Sequence, residues 1–353
     1  MSRINHNIDI VDEKERVMIV SVLKEYNISI NDILRLRSAY KIDSSAGTYF
    51  VKRMRHGIDK ARNGCIFVEA LNHAGFLNTA KYLRTVDGNF FVRYGKYIFY
   101  VTSWIDGHEA ELEDMRETVN CVKLLAKFHV AAASIDTSAL KVKNNLKNWP
   151  KIFTDQLSDL ERYRNCINRK KIRNQFDNTY LDLIDFYYNR GVTALSVLNS
   201  SNYHILSREA RAHRTICHDS FYYQNIMKTQ DDYYLIDFDS IIIDLYVVDL
   251  GKFIRRLMYR KSYQWDFQKA KYLLEEYSKI KPVTREDMDI VLALLVFPQK
   301  FWKLGRKRYI KRKNWSEAKY MRKLNKLMKF NKEEQEFISE FIDYINSSKT
   351  INE

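Results

Sequence analysis

ICHDSFYYQNIMKTQDDYYLIDFDSIIIDLYVVDLGKFIRR, residues 216–256, is the stretch around which the rest of the chain is read. It gives a loop carrying His218, Asp219 and Asn225, then a β-hairpin of Ile226 to Lys228, a polar turn and Tyr233 to Ile236. The acids Asp237 and Asp239 follow, and a helix begins near Asp249, whose side chain is placed to cap it. Four hydrophobic or aromatic residues run directly into Asp237, the way a buried strand delivers carboxylates to a cleft. Asp237, Asp239 and the Asn225 amide are hard oxygen donors of the kind Mg²⁺ takes. The same acids could instead cap the turn after the strand.

Upstream, Glu13 to Glu25 reads as a helix, followed by strands Ile33 to Leu36, Ala39 to Ile42 and Thr48 to Met54, the last two joined by the polar tip Asp43 to Gly47. In the third strand Tyr49, Val51 and Arg53 alternate with Phe50, Lys52 and Met54. Lys52 therefore shares a face with two apolar residues, an unusual place for an ammonium. A helix from Ile58 to Ala74 ends at Gly75 and carries Glu69 in its second half. Strands are expected at Ala80 to Arg84, Asn89 to Tyr94 and Lys96 to Trp104. A lobe boundary follows at Trp104-Ile105-Asp106-Gly107, dividing residues 1–104 from 105–353.

Beyond it helical periodicity dominates: Thr118 to Ala133, Ile152 to Arg169, Asn178 to Leu198, Asp249 to Tyr259, Asp266 to Lys279, Arg285 to Trp302, Lys313 to Phe330 and Lys332 to Ile345, with a linker over Lys141 to Pro150. A chain of 353 residues, 46% hydrophobic and 14% aromatic, has the material for two lobes. No apolar window is long enough to span a membrane, and the first residues lack a signal-peptide core, so the expected origin is cytosolic. Cys65, Cys121, Cys166 and Cys217 are widely spaced, which argues against a zinc site or disulfide framework and for small buried fillers. His218 beside Cys217 has no partner at ligand spacing and reads as a structural loop histidine.

The net charge is +15, and Gln299 to Lys329 holds thirteen Lys and Arg against the single acid Glu317. Trp302, Tyr309, Trp315 and Tyr320 are interleaved there, a mixture suited to phosphate contact and base stacking. Phe301, Leu304, Met321, Leu324 and Leu327 also supply an apolar face at helical spacing. With no recognised binding module alongside, nucleic acid is not the expected partner.

A strand lysine, a helix glutamate seventeen residues on, an aromatic and glycine-containing lobe boundary, and His-x₆-Asn before an acidic strand end match the phosphoryl-transfer template. The segments GTYFVKRM, YVTSWIDGHEAEL, KLLAKFH, CHDSFYYQNI, YYLIDFDS, DLYVVDLGKFIRR and FPQKFWKLGRKRY together resemble the spore coat CotS family, within the aminoglycoside phosphotransferase and choline kinase-like group. The resemblance runs from about Ala39 to Phe341. It implies a protein-kinase-like α+β fold, with a small antiparallel-sheet N-terminal lobe and a larger helical C-terminal lobe. By resemblance Lys52 would hold the α- and β-phosphates of ATP and Glu69 would orient Lys52. Ser103, Trp104, Ile105 and Asp106 would line the adenine pocket, and Asn225 and Asp237, with Asp239 beside them, would bind Mg²⁺. The implied setting is synthesis in the mother-cell cytoplasm and deposition in the spore coat among other coat proteins.

Two departures from the group matter. Its loop is His-x-Asp-x-x-x-x-Asn, the Asp accepting the proton of the acceptor hydroxyl; here the position two after His218 is Ser220, and the acid stands one residue early at Asp219. A serine hydroxyl is no base near neutral pH, so the expectation is weak or absent transfer. The alternatives are an active ATP- and Mg²⁺-dependent phosphotransferase that uses Asp219 on a small-molecule or sugar hydroxyl, and a non-enzymatic basic adaptor for an anionic polymer. The second departure is the Asp43 to Gly47 turn, which has one glycine and an acid where a phosphate-wrapping loop would be glycine-rich.

Overall fold

In the computed structural model, residues 11–36, 39–55, 57–142, 146 and 148–347 are described. Part of the expected linker, at 143–145 and 147, lies outside them. The described residues fall into two compact units. One comprises those within Met1–Glu111, Lys127–Lys143 and His218–Ile242, the other those within Leu112–Ala126, Asn144–Cys217 and Ile243–Glu353. The boundary expected after Trp104 thus falls inside the leading segment of the first unit, and residues 218–242, assigned from sequence to the C-terminal lobe, pack with that unit.

The first unit opens with α1 (Glu13–Lys24), whose first turn is capped by the Asp12 carboxylate accepting from the Glu15 amide. Strands β1 (Asp32–Leu36), β2 (Ala39–Ser44) and β3 (Gly47–Met54) follow, then α2 (Ile58–His73), β4 (Val92–Tyr94) and β5 (Tyr97–Ser103). The sheet is antiparallel, in the order β1-β2-β3-β5-β4. Period-two alternation sends Tyr40, Ile42, Val51, Phe99 and Val101 into one core with Met18, Ile19, Val22 and Leu23 of α1. The opposite face carries Ile98, Tyr100 and Met54 against Ala61 of α2, and Lys52 belongs to it. α2 ends as expected, with Gly75 in the left-handed region at φ +86.

The strand expected over Ala80 to Arg84 does not form; Tyr82 makes only a single bridge to Thr102. Two backbone bonds flank that bridge, Leu83 N–H to the Val101 carbonyl at 2.9 Å and Ser103 N–H to the Lys81 carbonyl at 2.8 Å, and Tyr82 stacks on Tyr100 with ring centroids 5.0 Å apart. A Cβ on Gly64 of α2 would sit 2.9 Å from the Tyr82 hydroxyl, so that glycine permits the approach.

Strand β6 (His108–Glu109) precedes α3 (Met115–Ala133) in the chain, and β7 (Ile216–Cys217), β8 (Ile226–Lys228), β9 (Tyr233–Leu235) and β10 (Ile242–Ile243) come later. β6, β8 and β9 form a small antiparallel sheet, so the expected hairpin is present. Gly107 lies so close to β8 that a Cβ there would meet the Lys228 carbonyl oxygen at 2.3 Å.

The second unit is helical: α4 (Trp149–Asn168), α5 (Gln175–Ser200), α6 (Tyr203–Ala212), α7 (Tyr246–Met258), α8 (Phe267–Ser278), α9 (Arg285–Val296), α10 (Gln299–Gly305), α11 (Glu317–Met328) and α12 (Asn331–Ser347). α6 was not anticipated, and the helix expected over Arg285 to Trp302 is broken near Pro298 into α9 and α10. α10 runs on into a π-turn over Arg306–Ile310. Asp249 does not cap α7; the cap is Leu245, and Asp249 lies buried within the first turn. Stacked rings join the helices, Phe153 on Phe297 and Phe301 on both Tyr180 and Tyr187, each at 4.1 Å. Three cysteines are buried as expected, but Cys166 is exposed. No helix among the described residues is long and apolar enough to cross a membrane.

Candidate active site

Phe238 sets the geometry. It is buried against Phe67, Phe128 and His218, with ring centroids 6.2, 6.0 and 5.1 Å away. Asp237, at φ +65, turns the chain out of β9 into a short 3₁₀ segment, Phe238–Ser240. A left-handed backbone is unusual for a residue with a Cβ, though Asp tolerates it better than most. With Phe238 anchored inward, the flanking acids both reach Lys52: its ammonium is 2.7 Å from Asp237 Oδ1 and 2.7 Å from Asp239 Oδ2.

Burial lowers the affinity of Lys52 for its proton, but Asp239 and Asp237 more than offset this and its pKa is raised. Burial likewise opposes ionisation of Asp237, yet Lys52, with His218 helping, holds its pKa below the usual value. Asp239 is shifted upward, because burial and the Asp237 charge outweigh what Lys52 returns. The Tyr100 hydroxyl donates to Asp239 Oδ1 at 3.0 Å, from the β5 residue directly across from Lys52. Sequence reading missed Tyr100, although the alternation that turned Lys52 inward fixes its cross-strand neighbour once the register is known.

His218 is fully buried and its Nε2 lies 3.1 Å from the Ile236 carbonyl oxygen, tying the loop to the residue between β9 and Asp237. Asn225 is pinned on both sides: its carbonyl accepts from the Ile236 amide at 3.0 Å, and its side-chain Nδ2 donates to the Ser220 carbonyl at 3.0 Å. An amide that spends its NH₂ this way retains Oδ1 as a hard donor. Asp219 adopts φ +61, a reason for an Asp at this position that does not involve chemistry.

Glu69 stands apart from the expected grouping. Arg84 holds it bidentately, Nε at 2.8 Å and Nη2 at 2.6 Å, on the half-exposed side of α2. The groups that do orient Lys52 are Asp237 and Asp239. Ser103 and Trp104 continue β5: the Ser103 hydroxyl accepts from the Lys81 amide at 3.0 Å, and the Trp104 amide donates to the Thr48 carbonyl at 3.1 Å. Trp104 and Ile105 are half-buried and Asp106 is exposed. The β2–β3 turn is only Ser45 and Ala46, because pairing persists to Ser44 and Gly47. Lys52, Ser103 to Asp106, Asp219, Ser220, Asn225, Asp237 and Asp239 all belong to the first unit.

A family described as "Spore coat putative kinase YutH" matches residues 20–341. The chain belongs to that family. Membership in the YutH family agrees with the resemblance drawn from the motifs, since spore coat protein S of Bacillus subtilis (strain 168) is 25% identical over 251 residues, covering 70% of this chain and 71% of that protein. Among solved structures, an aminoglycoside phosphotransferase from Alicyclobacillus acidocaldarius subsp. acidocaldarius DSM 446 superposes with a TM-score of 0.84 at 20% identity, over 93% of this chain and 96% of that one. The amicoumacin kinase hAmiN, solved with AMP-PNP, Ca²⁺ and Ami, superposes with a TM-score of 0.59 at 12% identity, over 93% and 94%. This YutH-family chain is thus a spore coat protein on an aminoglycoside phosphotransferase-like, kinase-like fold.

Proposed function

We propose that this spore coat protein keeps the elements of a nucleotide and Mg²⁺ site while its phosphoryl-transfer step is weak or absent. The observation that carries the reading is the bond from Asn225 Nδ2 to the Ser220 carbonyl. It holds the Ser220 backbone beside the metal-side amide, which supports reading Ser220 at the position where the group's loop carries its carboxylate base. For Asp219 to serve instead, the loop would have to move by one residue, against that bond and the left-handed turn at Asp219. Placement errors of about 1 Å cost roughly 10²-fold in rate, so an adjacent carboxylate is a poor substitute.

The donor set suits the cofactor. Asp237, Asp239 and Asn225 offer only oxygen, as Mg²⁺ prefers, and the Lys52 ammonium between the two acids would be freed toward phosphates when a cation took its place. Bound there, Mg²⁺ would neutralise charge on the nucleotide phosphates. Synthesis in the mother-cell cytoplasm, assembly with other coat proteins and ATP as the nucleotide complete the reading. The solved hAmiN kinase complex with AMP-PNP and Ca²⁺ supports the nucleotide part by analogy of fold.

Two measurements test it. A thermal-shift titration with ATP and Mg²⁺ is expected to stabilise the protein, by about 2.7 kcal/mol once ligand reaches a hundredfold its Kd. No shift at millimolar ATP removes the nucleotide site and leaves a scaffold. Turnover with candidate hydroxyl acceptors is expected to be slow or absent; robust turnover abolished by Asp219→Asn and indifferent to Ser220→Ala overturns the inactive reading.

A further inference from the structure

The glutamate expected to orient Lys52 is held by Arg84, so another group has to do that work. The two carboxylates beside Lys52 are not alike. Asp239 has both oxygens engaged: Oδ2 lies 2.7 Å from the Lys52 ammonium, and Oδ1 accepts from the Tyr100 hydroxyl at 3.0 Å. Its side chain is 11% exposed, whereas that of Asp237, which meets Lys52 through Oδ1, is 36% exposed.

Tyr100 is fixed independently of Asp239. Lys52 of β3 and Tyr100 of β5 are direct cross-strand partners, which sends both side chains out of the same face of the sheet. The Tyr100 ring is buried with Ile98 and with Ala61 of α2, and the Tyr82 ring stacks on it. Gly64 of α2 leaves the Tyr82 hydroxyl the room that a side chain would take. Sheet and helix together hold the hydroxyl that holds Asp239.

We propose that Tyr100 is a positioning residue that reserves Asp239 for Lys52, so that Asp239 does the orienting work of the helix glutamate and the cation is left to Asp237 and Asn225. The inference rests on the nucleotide and Mg²⁺ reading above and narrows its three oxygen donors to two. Mg²⁺ demands near-octahedral geometry and gives up its water reluctantly, which favours the more exposed carboxylate as its donor. A carboxylate bonded at both oxygens and little exposed is the better counter-ion, because it keeps its place when Asp237 is given to the cation. Lys52 then retains one acid, which neutralises it and sets its direction toward phosphates.

The test is calorimetric titration of AMP-PNP into the full chain, once with Mg²⁺ and once with EDTA. It is run on the native protein and on Tyr100→Phe, Asp239→Asn and Asp237→Asn. The affinity in EDTA reads Lys52, and the ratio of the two affinities reads the cation. Tyr100→Phe keeps the ring and is expected to weaken binding about fivefold in both media, the scale of one hydrogen bond, with the ratio unchanged. Asp239→Asn is expected to act in the same direction and more strongly, again at constant ratio, while Asp237→Asn removes the gain from Mg²⁺. Adding Tyr100→Phe to Lys52→Met is expected to change nothing further, whereas a tyrosine that merely supports the fold would lower affinity equally in both backgrounds. If Tyr100→Phe does not fold, the ratio in Asp239→Asn decides alone. Native protein that does not bind AMP-PNP, or binds it no better with Mg²⁺, removes the reading above and this inference with it. Native binding strengthened by Mg²⁺, with that gain lost in Asp239→Asn or with Tyr100→Phe indistinguishable from native, overturns the inference alone.

Discussion

The side-chain amide of Asn225 donates to the backbone carbonyl of Ser220 across 3.0 Å. Through this bond the loop between His218 and Asn225 is closed on itself, with the Ser220 backbone held beside the Asn225 amide. Ser220→Asp is therefore expected to raise ATP hydrolysis or acceptor phosphorylation by roughly 10²- to 10⁴-fold, the usual contribution of a positioned base. Asn225→Ala in that background should cancel the gain. Steady-state ATP turnover of the three proteins checks this.

Lys52 is held by two carboxylates that would otherwise repel each other. Replacing it with Met should cost about 1–3 kcal/mol, less than the 3–5 typical of a fully buried pair, because the Asp237 side chain is 36% exposed. Adding Asp239→Asn should recover much of the loss. Urea unfolding of the single and double variants reads the difference.

Glu69 and Arg84 form an exposed bidentate pair, so Glu69→Gln should change stability by no more than about 1 kcal/mol. Affinity for ATP and Mg²⁺ should not change. A large loss of nucleotide affinity in this variant would restore Glu69 to the part its motif suggested.

Gly107 gives β8 room that a side chain would fill. Gly107→Ala puts a Cβ against the Lys228 carbonyl and should destabilise by about 1–3 kcal/mol, the cost of overpacking against unyielding backbone. Gly88→Ala makes a useful contrast: nothing lies within reach of its Cβ, and only its φ of +77 opposes the change. Thermal melts should order the two with Gly107→Ala the lower.

Lys300 and Lys303 give stability a pH dependence of known sign. Both have folded-state pKa values below the ordinary lysine value, so between about pH 7 and 10 the unfolded chain binds more protons than the folded one. Stability should accordingly rise with pH through that window, in the absence of any bound anion. The groups around Lys300 are Lys326, Glu334, Arg255 and Arg260, and of these only Glu334 opposes the effect. Melting curves at pH 6.5, 8 and 9.5 should show the rise, and Lys300→Met should flatten it.

Much of this protein was determined by local sequence. Alternation in GTYFVKRM placed Lys52 on the inner face of its strand, and the motifs from His218 to Asp239 gave the fold and the family. Apolar runs at period two or 3.6 located most elements, because burial is decided residue by residue along a strand or helix. Ala80 to Arg84 does not extend into a strand because its pairing with β5 stops at one bridge, Tyr82 to Thr102, with a backbone bond on either side. Tertiary structure alone decided which charges meet. Glu69 could have reached Lys52 or Arg84, and seventeen residues of separation cannot choose between them; the turn at Asp237 and the burial of Phe238 gave Lys52 to the acid pair instead. Charge pairing is a matter of distances of a few ångströms between remote segments, and a linear pattern carries no such distances.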